Sequence, residues 1–186
     1  MNIYDFDGTI CYKDSTFGFW RYCLVHRPWI AICLPLQLAS LIANKLKITN
    51  NITLFYCFLP LLFNDQTLIK KYCDKQMENM CDWYMKQKED TDVVVSASPE
   101  FLIKEMCDRL GVACVASQVD YRTGRASKPT CRCEEKVTQF REQYPDAIVH
   151  ASYGNADTDR PIIAIGERGY MVKNHNTHSV TMWQLN

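Results

Sequence analysis

Apolar positions change their spacing several times along this chain, and the changes outline its elements. Asn2-Ile3-Tyr4 is a short apolar start fit for a buried strand. From Phe17 to Phe63 aromatic and aliphatic residues crowd together, and two runs stand out, 28–43 and 52–63, interrupted by Pro35, Gln37 and Pro60. A helix that crosses a bilayer needs about 20 predominantly apolar residues, so neither run should span one. Burial in a helical core is the ordinary fate of such stripes; the other is contact with a membrane surface or an amphiphilic ligand. Residues 65–88 read as one long amphipathic helix, with Leu68, Tyr72, Met77, Met80, Cys81 and Tyr84 near 3.6 spacing. The charge cluster 86–92 ends it and reads as a return linker.

Val93-Val94-Val95 is a continuous β-branched run, as expected of a strand buried on both faces of a parallel sheet. It runs into Ser96-Ala97-Ser98-Pro99, where Pro99 suits the first turn of a helix over 100–110. Further on, 112–119 reads as a strand, Tyr121-Arg-Thr-Gly-Arg125 as the turn of a hairpin or flap, and 134–143 as a helix. A strand over 147–151, a short helix over 161–165 and a last strand over 170–172 follow, and the tail beyond Asn174 shows no pattern. Strands alternating with helices predict an α/β fold, a doubly wound parallel sheet with right-handed crossovers. Strands one and two lie about 80 residues apart, too far for a simple crossover. The excess predicts an inserted all-helical cap over 13–89, with 1–12 and 90–186 forming the core.

Composition narrows the classes. The 186 residues are 47% hydrophobic and 23% charged with few Gly and Pro, which excludes a disordered chain. A formal net charge of zero leaves no electrostatic footprint for nucleic acid. The ten cysteines are scattered through apolar segments and suit reduced thiols in a cytosolic protein. Cys131-Arg-Cys133 lacks the second Cys/His pair a zinc site needs. Because the chain opens directly on its first strand, no signal peptide is expected.

The candidate chemistry begins at Asp5-Phe6-Asp7-Gly8-Thr9, where the first strand would deliver Asp5 into the crevice at which open α/β sheets bind ligands. Side chains two residues apart share a face of an extended segment. One carboxylate can then attack phosphorus while the other handles the leaving-group proton. Ser96 ends a strand just before a helix, a place suited to a phosphate oxygen, whereas Ser98 suits a helix cap. Lys136 opens a predicted helix, and Asn155 and Asp159 follow a predicted strand. Singly, each has an ordinary explanation, a turn, a cap or a solvated lysine. Their order along the chain makes the case.

That order resembles the four motifs of the haloacid dehalogenase superfamily across the whole chain, and the long insertion resembles the helical cap of its phosphoserine phosphatase-like subclass. Val-Ser-Ala-Ser-Pro, Thr-Gly-Arg and Glu-Glu-Lys-Val look most like the branch that includes phosphatidylglycerophosphatase C-type proteins. The resemblance implies a Mg²⁺-dependent phosphomonoesterase. Asp5 would be the nucleophile that forms an aspartyl-phosphate, and Asp7 the general acid/base. Ser96 and Lys136 would hold the phosphoryl group with help from Thr9. Asp5, the main-chain carbonyl of Asp7 and Asn155 would hold Mg²⁺, with Asp159 in support. Asn155 stands where the pattern has Asp, so the site offers the metal one charge fewer. The expected substrate is a small soluble phosphate ester or a lipid phosphate, the latter with peripheral membrane contact through Trp20, Trp29, Ile30, Ile32, Leu34, Leu36, Leu38, Leu41 and Ile42, flanked by Arg21, His26, Arg27, Lys45 and Lys47. A phosphotransferase shares the same intermediate, and a non-catalytic binding protein is the alternative that Asn155 raises. Dehalogenation has no use for Asp7.

Overall fold

The computed structural model describes residues 1–46, 48, 52–62 and 65–185. Lys47 and Phe63, counted above among the basic flank and the second apolar run, lie outside the described residues.

Six strands form one sheet: β1 (Asn2–Tyr4), β2 (Val93–Pro99), β3 (Ala113–Ser117), β4 (Ala151–Gly154), β5 (Arg168–Asn174) and β6 (Val180–Gln184). Their order is β3-β2-β1-β4-β5-β6, parallel from β3 through β5, with β6 antiparallel at the edge. Winding runs outward in both directions from the β1–β4 pair, so the C-terminal ends of these two strands border the crevice of a doubly wound sheet. Helices α1 (Ser15–His26), α2 (Leu34–Lys45), α3 (Gln66–Met77) and α4 (Asp82–Gln87) lie between β1 and β2. After β2 come α5 (Glu100–Leu110), α6 (Glu134–Gln143) and α7 (Arg160–Ile163).

Strand alternation explains the two cores. Tyr4 and Val94 point into a cluster with Phe19, Tyr72, Ile103 and Met106, while Ile3, Val93 and Val95 point into another with Phe140 and Ile162. Both faces are covered, which is why the valine run carries no polar position. Register is reinforced by a cross-strand ladder: Tyr4, Tyr153 and Tyr170 are paired neighbours, with ring centroids 4.7 and 4.9 Å apart and nearly parallel planes.

Four expectations are corrected. The helix expected over 65–88 breaks into α3 and α4, because the backbone at Asn79–Cys81 pairs with the loop after β1: Cys81 N donates to Ile10 O at 2.8 Å and Tyr12 N to Asn79 O at 2.9 Å. Tyr12 N and Ile10 O find their backbone partners there, and that pairing outweighs helical periodicity. The strand expected over 147–151 lies instead at Ala151–Gly154, since its pairing partner is the short β1 and the register runs from Asn2↔Ala151 to Tyr4↔Tyr153. Pro99 is the N-cap of α5 and the last residue of β2 rather than a first-turn residue. Finally, the tail forms β6, which pairs with β5 from Tyr170↔Gln184 to Asn174↔Val180.

The expected hairpin turn is in place. The segment 121–125 closes a small hairpin through the Val119↔Ala126 bridge, with Gly124 at φ +69° against the backbone of Tyr56. Gln66 Nε2 donates to Tyr121 Oη at 2.7 Å, so this hairpin braces the segment between β1 and β2. No helix among the described residues is long and apolar enough to cross a membrane.

Candidate active site

Asp5 leaves the end of β1 with its N–H donating to Tyr153 O at 2.9 Å, and its carboxylate is 6% exposed. Lys136 Nζ lies 2.6 Å from Asp5 Oδ1 and 2.7 Å from Asp159 Oδ1, and is itself 1% exposed. A lysine is buried to this degree only when paired, and two carboxylates provide the pairing. Burial drags the Lys136 ammonium downward, but Asp5 and Asp159 overcome it and hold the amine charged, above its ordinary value. For Asp5 the balance is opposite: burial pushes its carboxyl up, Lys136 only partly offsets this, and Asp159 adds to it.

Asp159 earns its central position through the turn that carries it. Its Oδ2 accepts from the backbone N–H groups of Asn155 at 3.2 Å and Ala156 at 3.0 Å, leaving Oδ1 for Lys136. Thr9, expected beside the phosphoryl group, is fully buried and donates its hydroxyl to Asp5 Oδ2 at 2.9 Å. It thereby fixes the carboxylate's rotation.

Asp7 occupies a separate hydrogen-bond shell. Ser15 N donates to Oδ1 at 2.6 Å, Ser15 Oγ donates to Oδ2 at 3.0 Å, and Ser98 Oγ makes a short bond to Oδ2. Thr16 Oγ1 donates in turn to Ser98 Oγ at 2.7 Å. Burial raises the Asp7 carboxyl from 3.8 to about 7, against the lowering bonds from Ser98 and Ser15 and with further upward pressure from Asp14 and Asp5. The cap role expected of Ser98 is corrected here: α5 has no side-chain cap, and the Ser98 hydroxyl serves Asp7. Ser96 is 1% exposed, and its Oγ accepts from Ser98 N at 3.1 Å.

Gly8 turns the chain between the two halves of the site at φ +78°, where a Cβ would also collide with the Asn155 amide. Asn155 is exposed and thus lies against the loop that follows Asp7. Asp5, Asp7, Ser96, Lys136, Asn155 and Asp159 line one cleft of about 1140 Å³. Leu41, Asn44, Phe55 and Tyr56 from the segment between β1 and β2, and Arg132 and Cys133 from the segment before α6, line the same cleft.

Several contributors escaped the sequence reading. Ser15 and Thr16 carry a signal that could have found them, because Asp14-Ser15-Thr16 is a helix start and Asp14 does cap α1 by accepting from Phe17 N. Asn174 had no such signal. Its Nδ2 donates to Gly8 O at 2.8 Å and Thr9 O at 2.5 Å, while its Oδ1 accepts from Trp83 Nε1 at 3.1 Å. The end of β5 therefore ties down the loop after β1 across more than 160 residues. Cys133, at φ 54°, strains the entry to α6 three residues before Lys136.

Oxygen is the main donor type that the cleft offers a cation, and its carboxyl groups, Asp5, Asp7, Asp14 and Asp159, outnumber its cations, Lys136 and Arg132. That donor chemistry and that charge imbalance fit a hard divalent cation such as Mg²⁺. Among the described residues no three His, Cys, Asp or Glu side chains converge as a metal cluster. A cation here would therefore draw on neutral oxygens as well.

Comparison with known proteins identifies the family and the fold. Residues 3–166 match the family model described as haloacid dehalogenase-like hydrolase. No curated protein sequence matches the chain. Among solved structures, a HAD family hydrolase from Salmonella enterica subsp. enterica serovar Typhi is 13% identical with a TM-score of 0.58, over 90% of this chain and 60% of that one. The chain thus spans about three fifths of that hydrolase's length. A protein with unknown function from Bordetella pertussis Tohama I is 16% identical at TM-score 0.64, over 88% and 85% of the two chains. A phosphoserine phosphohydrolase-like protein from Francisella tularensis subsp. tularensis SCHU S4 is 16% identical at TM-score 0.51, over 89% and 83%. At these identities the likeness is one of fold.

Proposed function

Because this chain belongs to the haloacid dehalogenase-like hydrolase family, we propose that it hydrolyses phosphate monoesters through an aspartyl-phosphate on Asp5. The observation that carries the reading is the pairing of a buried, lysine-held carboxylate with a second carboxylate whose proton is retained up to about pH 7. An Asp5 oxygen attacks phosphorus, the bond to the ester oxygen breaks, and the protonated Asp7 carboxyl gives its proton to the departing alkoxide. Water then attacks the acyl phosphate while Asp7, now a carboxylate, takes the water's proton; inorganic phosphate and free Asp5 result. A raised pKa suits both roles, since the group must be an acid in the first step and a base in the second. Lys136 neutralises charge on the phosphoryl oxygens, and Ser96 supplies a hydroxyl for hydrogen bonding to them.

Asp5, the Asp7 main-chain carbonyl and Asn155 would hold Mg²⁺, which when bound offsets the charge of the nucleophile and the phosphoryl oxygens. Asn155→Asp should tighten Mg²⁺ on the order of tenfold by replacing a neutral oxygen with a charged one. Isothermal titration with Mg²⁺ reads this directly, and unchanged or weaker binding would remove Asn155 from the cation site.

Residues 13–89 act as a cap over the cleft and 1–12 with 90–186 as the catalytic core, a division supported by the insert residues Leu41, Asn44, Phe55 and Tyr56 in the cleft lining. Leu41, Phe55 and Tyr56 in that lining favour an ester with an apolar portion, a lipid phosphate, over a small polar metabolite. Ten unpaired thiols support a reducing, cytoplasmic setting. Phosphate release measured over sugar, amino-acid, nucleotide and lipid phosphates with Mg²⁺ tests the activity. Hydrolysis of none of these esters would overturn it, and transfer to an added alcohol in preference to water would redirect it to a phosphotransferase.

A further inference from the structure

Helix α2 is inside out. The residues it buries are Gln37 and Ser40, whereas Leu34, Leu38, Leu41 and Ile42, which share an adjoining face at i, i+4, i+7 and i+8 spacing, are 36 to 59% exposed. Gln37 anchors the inward face, accepting from Trp20 Nε1 at 3.0 Å and donating to Phe55 O at 3.2 Å, whereas the buried Ser40 hydroxyl has no partner among the described residues. Rotating the helix to bury its leucines would break both bonds and leave buried donors and acceptors unmet. The turn before α2 continues the apolar face with Trp29, 50% exposed, and Ile32, 79% exposed.

The charges of the segment that carries this face have one sign. From Ser15 to Asn64 the chain contains no Asp or Glu, and its charged residues are Arg21, Arg27, Lys45 and Lys47. Arg21 and Lys45 are exposed, and the Arg27 guanidinium sits 5.5 Å over the Trp29 ring while pairing with Asp65. An apolar helical face with a Trp and a cationic border is what a helix lying in the plane of a bilayer presents to anionic headgroups. A second copy of the same face would bring cations against cations, so charge complementarity favours an anionic lipid surface.

We infer that the outward face of α2 and the turn before it dock on an anionic membrane. Leu41 belongs both to that face and to the lining of the cleft that holds Asp5 and Asp7. Docking therefore opens the cleft at the level of the lipid headgroups, and the consequence for a lipid phosphate substrate rests on the phosphatase reading above.

Co-sedimentation of the full chain with vesicles of phosphatidylglycerol and phosphatidylcholine tests it, with pure phosphatidylcholine vesicles alongside. Binding is expected to the anionic vesicles, to weaken with added salt, and to fall by roughly tenfold or more in the double variant Leu38→Gln, Ile42→Gln. Hydrolysis of soluble p-nitrophenyl phosphate by that variant should be unchanged, which excludes misfolding. Asp5→Asn should bind vesicles as wild type does, so docking can stand even if the phosphatase reading fails. No sedimentation with anionic vesicles, or equal sedimentation after the double substitution, would overturn the inference. So would a wild-type dimer that the double variant dissociates, since a second copy would then cover the face.

Discussion

Replacing Asp5 with Asn should lower phosphate-ester hydrolysis roughly 10⁴-fold or more, because an amide cannot form the acyl phosphate. Rapid acid quenching after mixing with a ³²P-labelled ester should trap label on the wild-type protein and none on Asp5→Asn. The fold should survive the change. Lys136 keeps Asp159 at 2.7 Å, and Asp5→Asn removes one of two buried carboxylates that share a single ammonium. Deleting a partner from a simple buried ion pair is strongly destabilising, but here the deleted charge is in excess and its carboxyl is already pushed toward the neutral form. The melting temperature should therefore stay level or rise by a few degrees. Labelled Asp5→Asn, or hydrolysis within tenfold of wild type, would remove Asp5 as nucleophile.

The second large effect belongs to Asp7 and shows itself in pH. With its carboxyl held at about 7, kcat/KM for an alkyl phosphate should fall as pH rises through that value, since the free enzyme loses the proton it must donate. Asp7→Asn should reduce hydrolysis of alkyl phosphates by about 10² to 10⁴ and flatten the alkaline limb. p-Nitrophenyl phosphate, whose leaving group needs no proton, should lose less in the first chemical step. Stability moves the other way. A carboxyl whose folded value lies above its unfolded value binds more protons in the native state between about pH 4 and pH 7. Wild-type stability should decline through that window, and the melting-temperature difference between Asp7→Asn and wild type should grow more positive up to pH 7 and then level off. A pH-independent difference would mean that Asp7 titrates as an ordinary surface carboxylate.

Much of this site was readable before any coordinates. The carboxylate pair, the hydroxyl at Ser96, the lysine at the start of α6 and the acidic turn after β4 are each local features, and each sits at a strand end or helix start. The β-branched run 93–95, the helix over 100–110 and the helix over 134–143 were equally legible, because one buried strand or one amphipathic face is specified by its own residues. The structure brings Asp5, Asp7, Ser96, Lys136, Asn155 and Asp159 to one cleft.

Tertiary structure decided whatever depended on a distant partner. Nothing near Asn174 announces that its amide will hold the Gly8 and Thr9 carbonyls, because a long-range hydrogen bond leaves no periodic trace. Likewise, the helix expected over 65–88 breaks where Ile10 and Tyr12 claim its backbone, and β4 begins where Asn2 pairs with Ala151. The sharpest case is α2. Its apolar stripe is plain in the sequence and by periodicity alone belongs in a core, yet Trp20 and Phe55 hold its polar face inward and turn the leucines out. A hydrophobic pattern specifies that a helix has two unlike faces; which face meets the protein is set by the neighbours, through the cost of leaving buried polar atoms unpaired.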